Sequence, residues 1–430
     1  MSKVLVSLVF FGSIALPLLS AGTIPVDGES DWSQYHGNSG DRRSAESFVS
    51  PNWSKEDPKI AWAIETNLGF SSFVVSGDQA FTLVSGTDDG EGREVCIAVD
   101  VATGEELWST GLGQDKYDGG GGRGASGNDG GDGPRSTPSV DDERVYVLGG
   151  ALRLSALNRK SGELVWNQDI MADFGGRNIH WQNAASPLLV GDLVLMAGGG
   201  EGQSLLAFHR ETGELAWKTG DETMTHATPI LATIHGQSMA IFLVQSGLVA
   251  LNPSDGAELW RQAFDYATST AASPVVSDDI VYVSAGYGVG SATFRVVKQG
   301  DDFGTELIWR KRNKLINHWS TPVCRDGYLY GMFSFKKYGE GPMQCVELST
   351  GEIKWSADGF GPGNCILVGE TLVALSDAGE VVLAEATPDA YREQARAKVL
   401  AGKCWSSPSF SRGQLYVRST TEGVRLDLSN

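Results

Sequence analysis

One position in each repeat of this chain carries side chains that depart from the surrounding pattern. This position lies two residues before the start of a short strand, which in most repeats opens on Ser or Thr followed by Pro. Its occupants are Phe70, Arg135, Ala184, His226, Ala271, Trp319, Pro362 and Trp405. A guanidinium, an imidazole and two indoles in one place could hold an anionic or planar ligand by charge-assisted hydrogen bonds and stacking. The candidate binding residues are therefore Arg135, His226, Trp319 and Trp405.

The residues that bind metals or form disulfides show no comparable regularity. The histidines, at positions 36, 180, 209, 226, 235 and 318, have no metal-ligand spacing. The cysteines are Cys96, Cys324, Cys345, Cys365 and Cys404. Their odd number and scattered positions argue against a disulfide framework, and most are expected to be buried thiols. Cys324 and Cys345 share one repeat, so they would be the first pair to suspect.

Two insertions interrupt the repeats. The glycine-rich segment 118–133 is predicted to be a flexible loop. Its Asn128, Asp129 and Asp132 offer the hard oxygen ligands that Ca²⁺ prefers, although they do not follow the spacing of an EF-hand. The second insertion spans residues 335–340, and it is expected on the same face of the molecule as residues 180–183.

A repeat of roughly 40–50 residues must position all of these side chains. In one copy, Ala98 and Val99 lead into a turn at Thr103 and Gly104, and the copy closes with Trp108. The tryptophans that close successive copies are Trp62, Trp108, Trp166, Trp217, Trp260, Trp309 and Trp355. This period, built from short alternating strands, is typical of a β-propeller in which each repeat forms one four-stranded blade. Each tryptophan is expected to pack between blades and to donate its N–H to the neighbouring blade.

The repeat count predicts an all-β, eight-bladed β-propeller, with seven blades as the alternative. A seventh repeat follows Trp355 and ends with a strand at residues 397–400 in place of the Trp strand. The eighth begins at Trp405 and lacks its outer strand. The isolated strand Lys59–Ala63 is predicted to complete it by pairing with residues 424–428, because this pairing removes a free sheet edge.

In a ring of eight, the four candidate residues fall in blades two, four, six and eight. They are therefore expected to be evenly spaced around one mouth of the central channel, as suits a ligand on the axis. The alternative is a sealed plug in which the two indoles stack and exclude water. Unless it is buried, His226 should titrate near neutrality, and an anion held there would bind more weakly above about pH 7.

The N-terminus and the composition indicate an exported protein. Residues 1–21 are predicted to be a signal peptide, residues 22–57 an N-terminal arm and residues 58–430 the propeller. The chain has 53 acidic and 34 basic residues, a net charge of −19, which argues against binding to nucleic acid or to an anionic membrane surface. The apolar run within residues 1–21 is shorter than a membrane-spanning helix needs, and the sequence has no other run of about 18 apolar residues. A soluble periplasmic or extracellular monomer is expected.

The repeat resembles the tryptophan-docking motif of the propeller superfamily of pyrroloquinoline quinone (PQQ) enzymes. The resemblance covers residues 59–430, through the recurring pattern Ala-x-Asp or Asn, Thr-Gly and Trp. Residues 31–37 resemble the arm that precedes such propellers. Residues 385–388, 395–400 and 404–408 resemble the BamB-like group of exported bacterial proteins within this superfamily.

This resemblance implies two functions. The first is a non-catalytic binding or assembly module with envelope or secreted proteins as partners and with no cofactor. The alternative is a PQQ-dependent quinoprotein, or another periplasmic oxidoreductase, and the quinoprotein would require PQQ and Ca²⁺. The chain has neither the adjacent cysteine pair of those enzymes nor a CxxCH haem-attachment motif, and their Ca²⁺ ligands have no counterpart at matching positions. The binding module is therefore expected, with no catalytic or metal-binding residue assigned.

Overall fold

The computed structural model describes residues 30–88, 90–115, 133–333 and 341–428, and its strands form eight four-stranded antiparallel blades. The blades follow one another in a ring, and their innermost strands contact each other around a central channel. The prediction of an all-β, eight-bladed propeller is therefore confirmed. The predicted signal peptide, nearly all of the glycine-rich segment and the insertion at 335–340 lie outside the described residues.

Blades 1 to 4 run outward from the channel in sequence order. Blade 1 contains Val74–Ser76, Gln79–Asp88, Glu91–Asp100 and Glu106–Gln114. Blade 2 contains Ser139–Val140, Arg144–Leu148, Arg153–Asn158 and Leu164–Asp169, followed by the short α-helix Ile170–Asp173. Blade 3 contains Leu188–Val190, Leu193–Ala197, Leu205–His209 and Leu215–Thr219. Blade 4 contains Ile230–Ile234, Gln237–Val244, Gly247–Leu251 and Glu258–Ala263.

Blades 5 to 8 repeat this order, and two of them include strands from the N-terminal part of the chain. Blade 5 contains Val275–Ser277, Ile280–Ala285, Gly290–Gln299 and Asp302–Lys311. Blade 6 contains Val323–Arg325, Tyr328–Met332, Met343–Glu347 and Ile353–Ala357. Blade 7 contains Asn364–Val368, Thr371–Leu375, Glu380–Glu385 and Glu393–Lys398, with the arm strand Arg43–Ser44 added in parallel on its inner side. Blade 8 contains Ser409–Ser411, Gln414–Arg418, Glu422–Asp427 and the N-terminal strand Ile60–Glu65.

The ring closes through the N-terminal strand of blade 8. Ile60–Glu65 pairs antiparallel with Glu422–Asp427, which confirms the predicted closure. The buried side chain of Arg418 donates hydrogen bonds to the carbonyls of Leu83 at 2.6 Å and Thr66 at 3.2 Å. These bonds tie blade 8 to blade 1 at the junction between the two ends of the ring.

Five of the seven docking tryptophans cover a glycine in the last hairpin of the next blade. Trp108 of blade 1 donates its indole N–H to the carbonyl of Arg159 at 2.9 Å, and its ring lies over Gly162. Trp62, Trp166, Trp217, Trp309 and Trp355 donate in the same way to the carbonyls of Val101, Arg210, Pro253, Leu348 and Thr387. Gly162 has φ of +72°, and an added Cβ would lie 2.5 Å from the ring. The position therefore needs glycine both for its backbone angle and for its contact.

One junction differs because blade 5 has a longer last hairpin. The pairing in this hairpin extends to Gln299 and Asp302, so Gly304 lies within a strand instead of in the turn. Trp260 of blade 4 has no equivalent turn to bond, and its N–H instead contacts Sδ of Met239 in its own blade at 3.1 Å.

The outer strand of blade 7 begins earlier than the sequence suggested. Ala395, opposite Leu383, occupies the position of the docking tryptophan. The strand therefore spans residues 393–398, which corrects the expectation of a strand at 397–400. Phe48 and Trp53 of the arm pack against the apolar cluster that contains Ala395.

Hydroxyl groups link the innermost strands around the channel. Thr137 Oγ1 accepts from the backbone N–H of Ser72 at 2.9 Å, and Ser186 Oγ accepts from that of Thr137 at 2.9 Å. Equivalent bonds run from Ser186 N to Thr228 Oγ1, from Ser273 N to Thr321 Oγ1 and from Ser407 N to Ser72 Oγ. Each of these bonded residues lies two positions after a member of the candidate binding series. Their bonds therefore hold the start of the innermost strands in place.

Candidate functional site

A cavity of about 170 Å³ opens where the innermost strands begin, at one mouth of the channel. The cavity is lined by Tyr35, Phe70, Arg135, Trp181, Ala184, His226, Thr228, Ser269, Ala271, Tyr287, His318, Trp319 and Trp405. The structure therefore brings together all four candidate binding residues and three further members of their series. The binding of a ligand in this cavity stays a prediction.

Stacked aromatic rings form one wall of this channel-mouth cavity. The ring centroid of Trp405 lies 5.0 Å from that of Phe70 and 5.1 Å from that of Trp319. Behind the wall, Nζ of the buried Lys403 lies 4.6 Å from the centre of the Trp405 ring. The indole of Trp319 is tilted by 32° against that of Trp405, and their contact leaves the cavity beside it open. The even spacing of the four side chains around the axis stays a prediction.

The opposite wall is built on a strained loop. Arg135 Nη1 donates to the carbonyl of Trp181 at 2.5 Å, which fixes the guanidinium against this loop. Trp181 and Gln182 have φ of +68° and +59°, a pair of left-handed residues that other contacts must stabilise. Asn183 does so, because its backbone N–H bonds the carbonyl of Gly150 at 3.0 Å. Left-handed non-glycine residues of this kind often mark functional sites.

His226 lies in the cavity wall with only 8% of its surface exposed. Its backbone N–H donates to Ser269 Oγ at 3.0 Å, whereas its side-chain Nε2 is buried and has no hydrogen-bond partner within the described chain. Burial lowers the pKa of His226 to about 4, and the nearby charge of Arg135 lowers it further. The exception stated for a buried His226 therefore applies, and the imidazole is uncharged at pH 7.

His318 and Tyr287 complete the cavity, although neither belongs to the series found in the sequence. Nδ1 of His318 accepts from the backbone N–H of Gly286 at 3.2 Å, so its ring proton is on Nε2. Burial, and then the proximity of His226, lowers the pKa of His318 to about 3. Tyr287 lies on the rim with 56% of its surface exposed, and its ring centroid is 5.3 Å from that of His318.

Tyr35 reaches the cavity from the N-terminal arm. The arm crosses the far end of the channel, where Trp32 pairs with Val75 of blade 1 and the Ser33 carbonyl accepts from Val140 of blade 2. The repeat register could not reveal Tyr35, because the arm lies outside the repeats. Its only signal was the resemblance of residues 31–37 to the arm of related propellers.

The lining of the channel-mouth cavity favours a ligand that carries hydrogen-bond acceptor groups. Arg135 is its one charged side chain, no carboxylate is among the lining residues, and Lys403 adds a positive charge behind the aromatic wall. Trp405 Nε1 is a further buried donor with no hydrogen-bond partner in the part of the chain described. Such a cavity suits a planar group that carries hydrogen-bond acceptors or negative charge.

Neither a metal cluster nor a long apolar helix accompanies the cavity. Across residues 30–88, 90–115, 133–333 and 341–428, no group of three or more His, Cys, Asp or Glu residues could hold a metal ion. Over the same ranges, no helix is long and apolar enough to cross a membrane. The five cysteines are all buried and free.

Comparison with known proteins places the propeller beside two groups. Residues 91–357 match the family model described as outer membrane protein assembly factor BamB. The protein of that name from Moranella endobia (strain PCIT) is 24% identical over 57% of this chain and 63% of its own length. The quinoprotein ethanol dehydrogenase of Pseudomonas putida is 27% identical over 52% of this chain and 40% of its own length. The chain therefore spans less than two thirds of either relative.

A solved structure with the same fold is that of BamB from Moraxella catarrhalis. Its TM-score is 0.58 at 14% identity, and the alignment covers 86% of this chain and 98% of that one. At this level of identity, the similarity establishes the fold alone.

Proposed function

Because this chain belongs to the family of the outer membrane protein assembly factor BamB, we propose that it is an exported, non-catalytic binding module for an envelope or secreted protein. Its partner inserts a planar or anionic group into the channel-mouth cavity. The observation that carries this proposal is the lining of that cavity, in which an aromatic wall faces Arg135 with no carboxylate among the lining residues. In this proposal, the protein acts as a monomer in the periplasm or outside the cell.

The geometry favours binding over catalysis. The lining has no Asp, Glu, Cys or Lys that could serve as a carboxylate base or as a nucleophile. His226 and His318 have pKa values of about 4 and 3, so neither is poised to exchange protons near neutrality. The rim, in contrast, exposes Tyr287 and holds Trp181, and aromatic side chains of this kind dominate the energetics of protein interfaces.

A quinoprotein remains the second candidate function, because a stacked aromatic wall beside Arg135 would accept a planar, anionic quinone. The lining does not fit the Ca²⁺ that such enzymes require, since Ca²⁺ takes six to eight oxygen ligands and the cavity offers no carboxylate. No redox step is assigned to these residues for that reason. With PQQ and CaCl₂ added, we expect no reduction of an electron-accepting dye by alcohols or sugars, and turnover would overturn the non-catalytic assignment.

Site-specific photo-crosslinking tests the proposed binding face. A crosslinking amino acid at Tyr287 on the cavity rim should capture an envelope or secreted partner in intact cells. The matched control is Leu307, which is 58% exposed on the outer strand of the same blade, and this position should capture far less of the same partner. Equal capture from both positions would contradict the proposed face.

The same assay tests the cavity itself through Arg135. An Arg135→Gln variant removes the charge at the cavity wall, and we expect it to reduce the Tyr287 crosslink severalfold with little change in melting temperature. Arg144, on a strand of the same blade and outside the lining, provides the control variant Arg144→Gln. If both variants lower the crosslink equally, the cavity has no special role.

A further inference from the structure

A second cleft, of about 400 Å³, lies at the far end of the channel from the aromatic cavity. Residues 36 and 39–43 of the arm form one side of it, and the other side is formed by residues in or next to the innermost strands of blades 4, 5 and 6. His36 and Arg42 both line the cleft, and only 5% and 2% of their surfaces are exposed. Neither residue is used by the proposed function.

Arg42 carries a buried charge without an acidic partner. Its Nη2 donates to the carbonyl of Cys365 at 2.7 Å and to Ser407 Oγ at 2.8 Å, and its Nε also bonds the Cys365 carbonyl at 3.2 Å. Within the described ranges no Asp or Glu forms an ion pair with it, and Nη1 is buried without a hydrogen-bond partner. A buried guanidinium of this kind is stabilised by an anion that accepts from its free nitrogen.

His36, which also lines the cleft, has a hydrogen-bond acceptor without a partner. Ser273 Oγ donates its single proton to the Thr228 carbonyl at 2.8 Å, so in its 2.9 Å contact with His36 Nε2 the serine must accept. The ring proton is therefore on Nε2, and Nδ1 has a bare lone pair that is buried and has no partner. Burial, and then the charge of Arg42, keeps the pKa of His36 well below its usual value.

We propose that this cleft binds a tetrahedral oxyanion that retains a proton, such as hydrogen phosphate or the monoanion of a phosphate monoester. An oxyanion oxygen accepts from Arg42 Nη1, and the hydroxyl of the ligand donates to His36 Nδ1. Both unpartnered atoms are then satisfied by one ligand, as buried polar groups require.

The remaining charges of the cleft sharpen this choice of ligand. Asp41, Asp278 and Asp326 also line the cleft, with Arg43 as its second cation. Three carboxylates oppose a multiply charged anion, so they favour a form that keeps its proton. Sulfate has the shape of phosphate but carries no proton near neutral pH, and its oxygens would face the His36 lone pair without a hydrogen bond.

Isothermal titration calorimetry on the mature chain, with inorganic phosphate, glycerol phosphate and sulfate at equal ionic strength, tests the proposal. We expect saturable one-to-one binding of phosphate and about tenfold weaker binding of sulfate, because sulfate leaves a buried acceptor unpaired. Binding of glycerol phosphate would show that the cleft accepts a phosphate carried on a larger molecule. Failure of both phosphates to bind, or equal binding of phosphate and sulfate, would overturn the proposal.

Two variants separate the roles of Arg42 and His36. Arg42→Met should abolish phosphate binding, whereas Arg392→Ala, at an exposed residue of blade 7 outside the lining of the cleft, should leave the affinity within about twofold. His36→Phe keeps a ring of similar size but removes the acceptor at Nδ1, so the preference for phosphate over sulfate should disappear. If Arg42→Met fails to fold, the ratio of the phosphate and sulfate affinities in His36→Phe decides alone, and an unchanged preference in that variant refutes the proposed site.

Discussion

Replacing Gly162 with alanine probes the contact that joins blade 1 to blade 2. An alanine Cβ at this position would stand 2.5 Å from Trp108 Cε3 and 2.8 Å from Thr110 Oγ1. Neither neighbour can retreat freely. Trp108 is anchored by its N–H bond to the Arg159 carbonyl, and Thr110 Oγ1 donates to the carbonyl of residue 162 at 2.7 Å.

Two costs add in the Gly162→Ala variant. Alanine in the left-handed backbone region, here at φ +72°, costs about 1–2 kcal/mol. Forcing a methyl group against a packed indole costs about 1–3 kcal/mol more. The free energy of unfolding should therefore fall by about 2–5 kcal/mol. Gly191 provides the matched control, since its φ is +55° and nothing lies within 4 Å of its added Cβ. Gly191→Ala should carry only the backbone cost.

Equilibrium denaturant unfolding, followed by tryptophan fluorescence and by circular dichroism, measures both variants against the wild type. Gly162→Ala should be less stable than Gly191→Ala by about 1–3 kcal/mol, the cost of the indole contact. Equal losses in the two variants would refute the argument that the docking tryptophan makes glycine necessary. If Gly162→Ala unfolded at the same denaturant midpoint as the wild type, the expected cost of alanine at a positive φ would be refuted as well.

Three further outcomes follow from the fold and its buried groups. Deletion of residues up to 65 should lower the melting temperature well below that of a deletion up to 57. Only the longer deletion removes the strand that pairs with Glu422–Asp427. Equal melting temperatures of the two variants would contradict the closure of the ring by this strand. Burial lowers the pKa of His226 to about 4 from an ordinary value of 6.5. The unfolded chain therefore takes up a proton at higher pH than the folded chain, and the melting temperature should drop as the pH falls from 6.5 to 4. The drop should be smaller in His226→Gln. Equal dependence of melting temperature on pH in the wild type and the variant would argue against this burial. Ellman's reagent should react with the thiols only after denaturation, since all five cysteines are buried and burial raises the pKa of Cys365 to about 11 and of Cys404 to about 12; rapid reaction of the native protein would contradict this.

The repeats could be read from the sequence because each blade uses the same local chemistry. A docking tryptophan such as Trp108 and a turn glycine such as Gly162 recur at fixed offsets, so the unit, the blade count and the closing strand could all be predicted. The Ser or Thr that opens the innermost strand in most blades also set the register. This register placed Arg135, His226, Trp319 and Trp405 at one mouth of the channel, where the structure has them.

The parts of the site outside this register could not be predicted from the repeats. Trp181 and Tyr287 lie on loops with left-handed backbone, at φ +68° and +53°, and Tyr35 comes from the arm. Such segments have no periodic pattern, and their positions depend on contacts between residues far apart in the chain. The approach of Trp319 to Trp405 likewise depends on how two non-adjacent blades fill the channel mouth.

The sequence by itself therefore determined the eight-bladed ring and the repeat residues that begin its innermost strands at the channel mouth, because both follow from residue spacing within similar units. Only the tertiary structure decided how those side chains behave. The neutral state of His226 follows from its burial beside Arg135. The far cleft lies between the arm and blades 4, 5 and 6, and bonds to residues of blades 5, 7 and 8 hold His36 and Arg42 in place. Burial and long-range contact are properties of the closed ring, and no single repeat contains them.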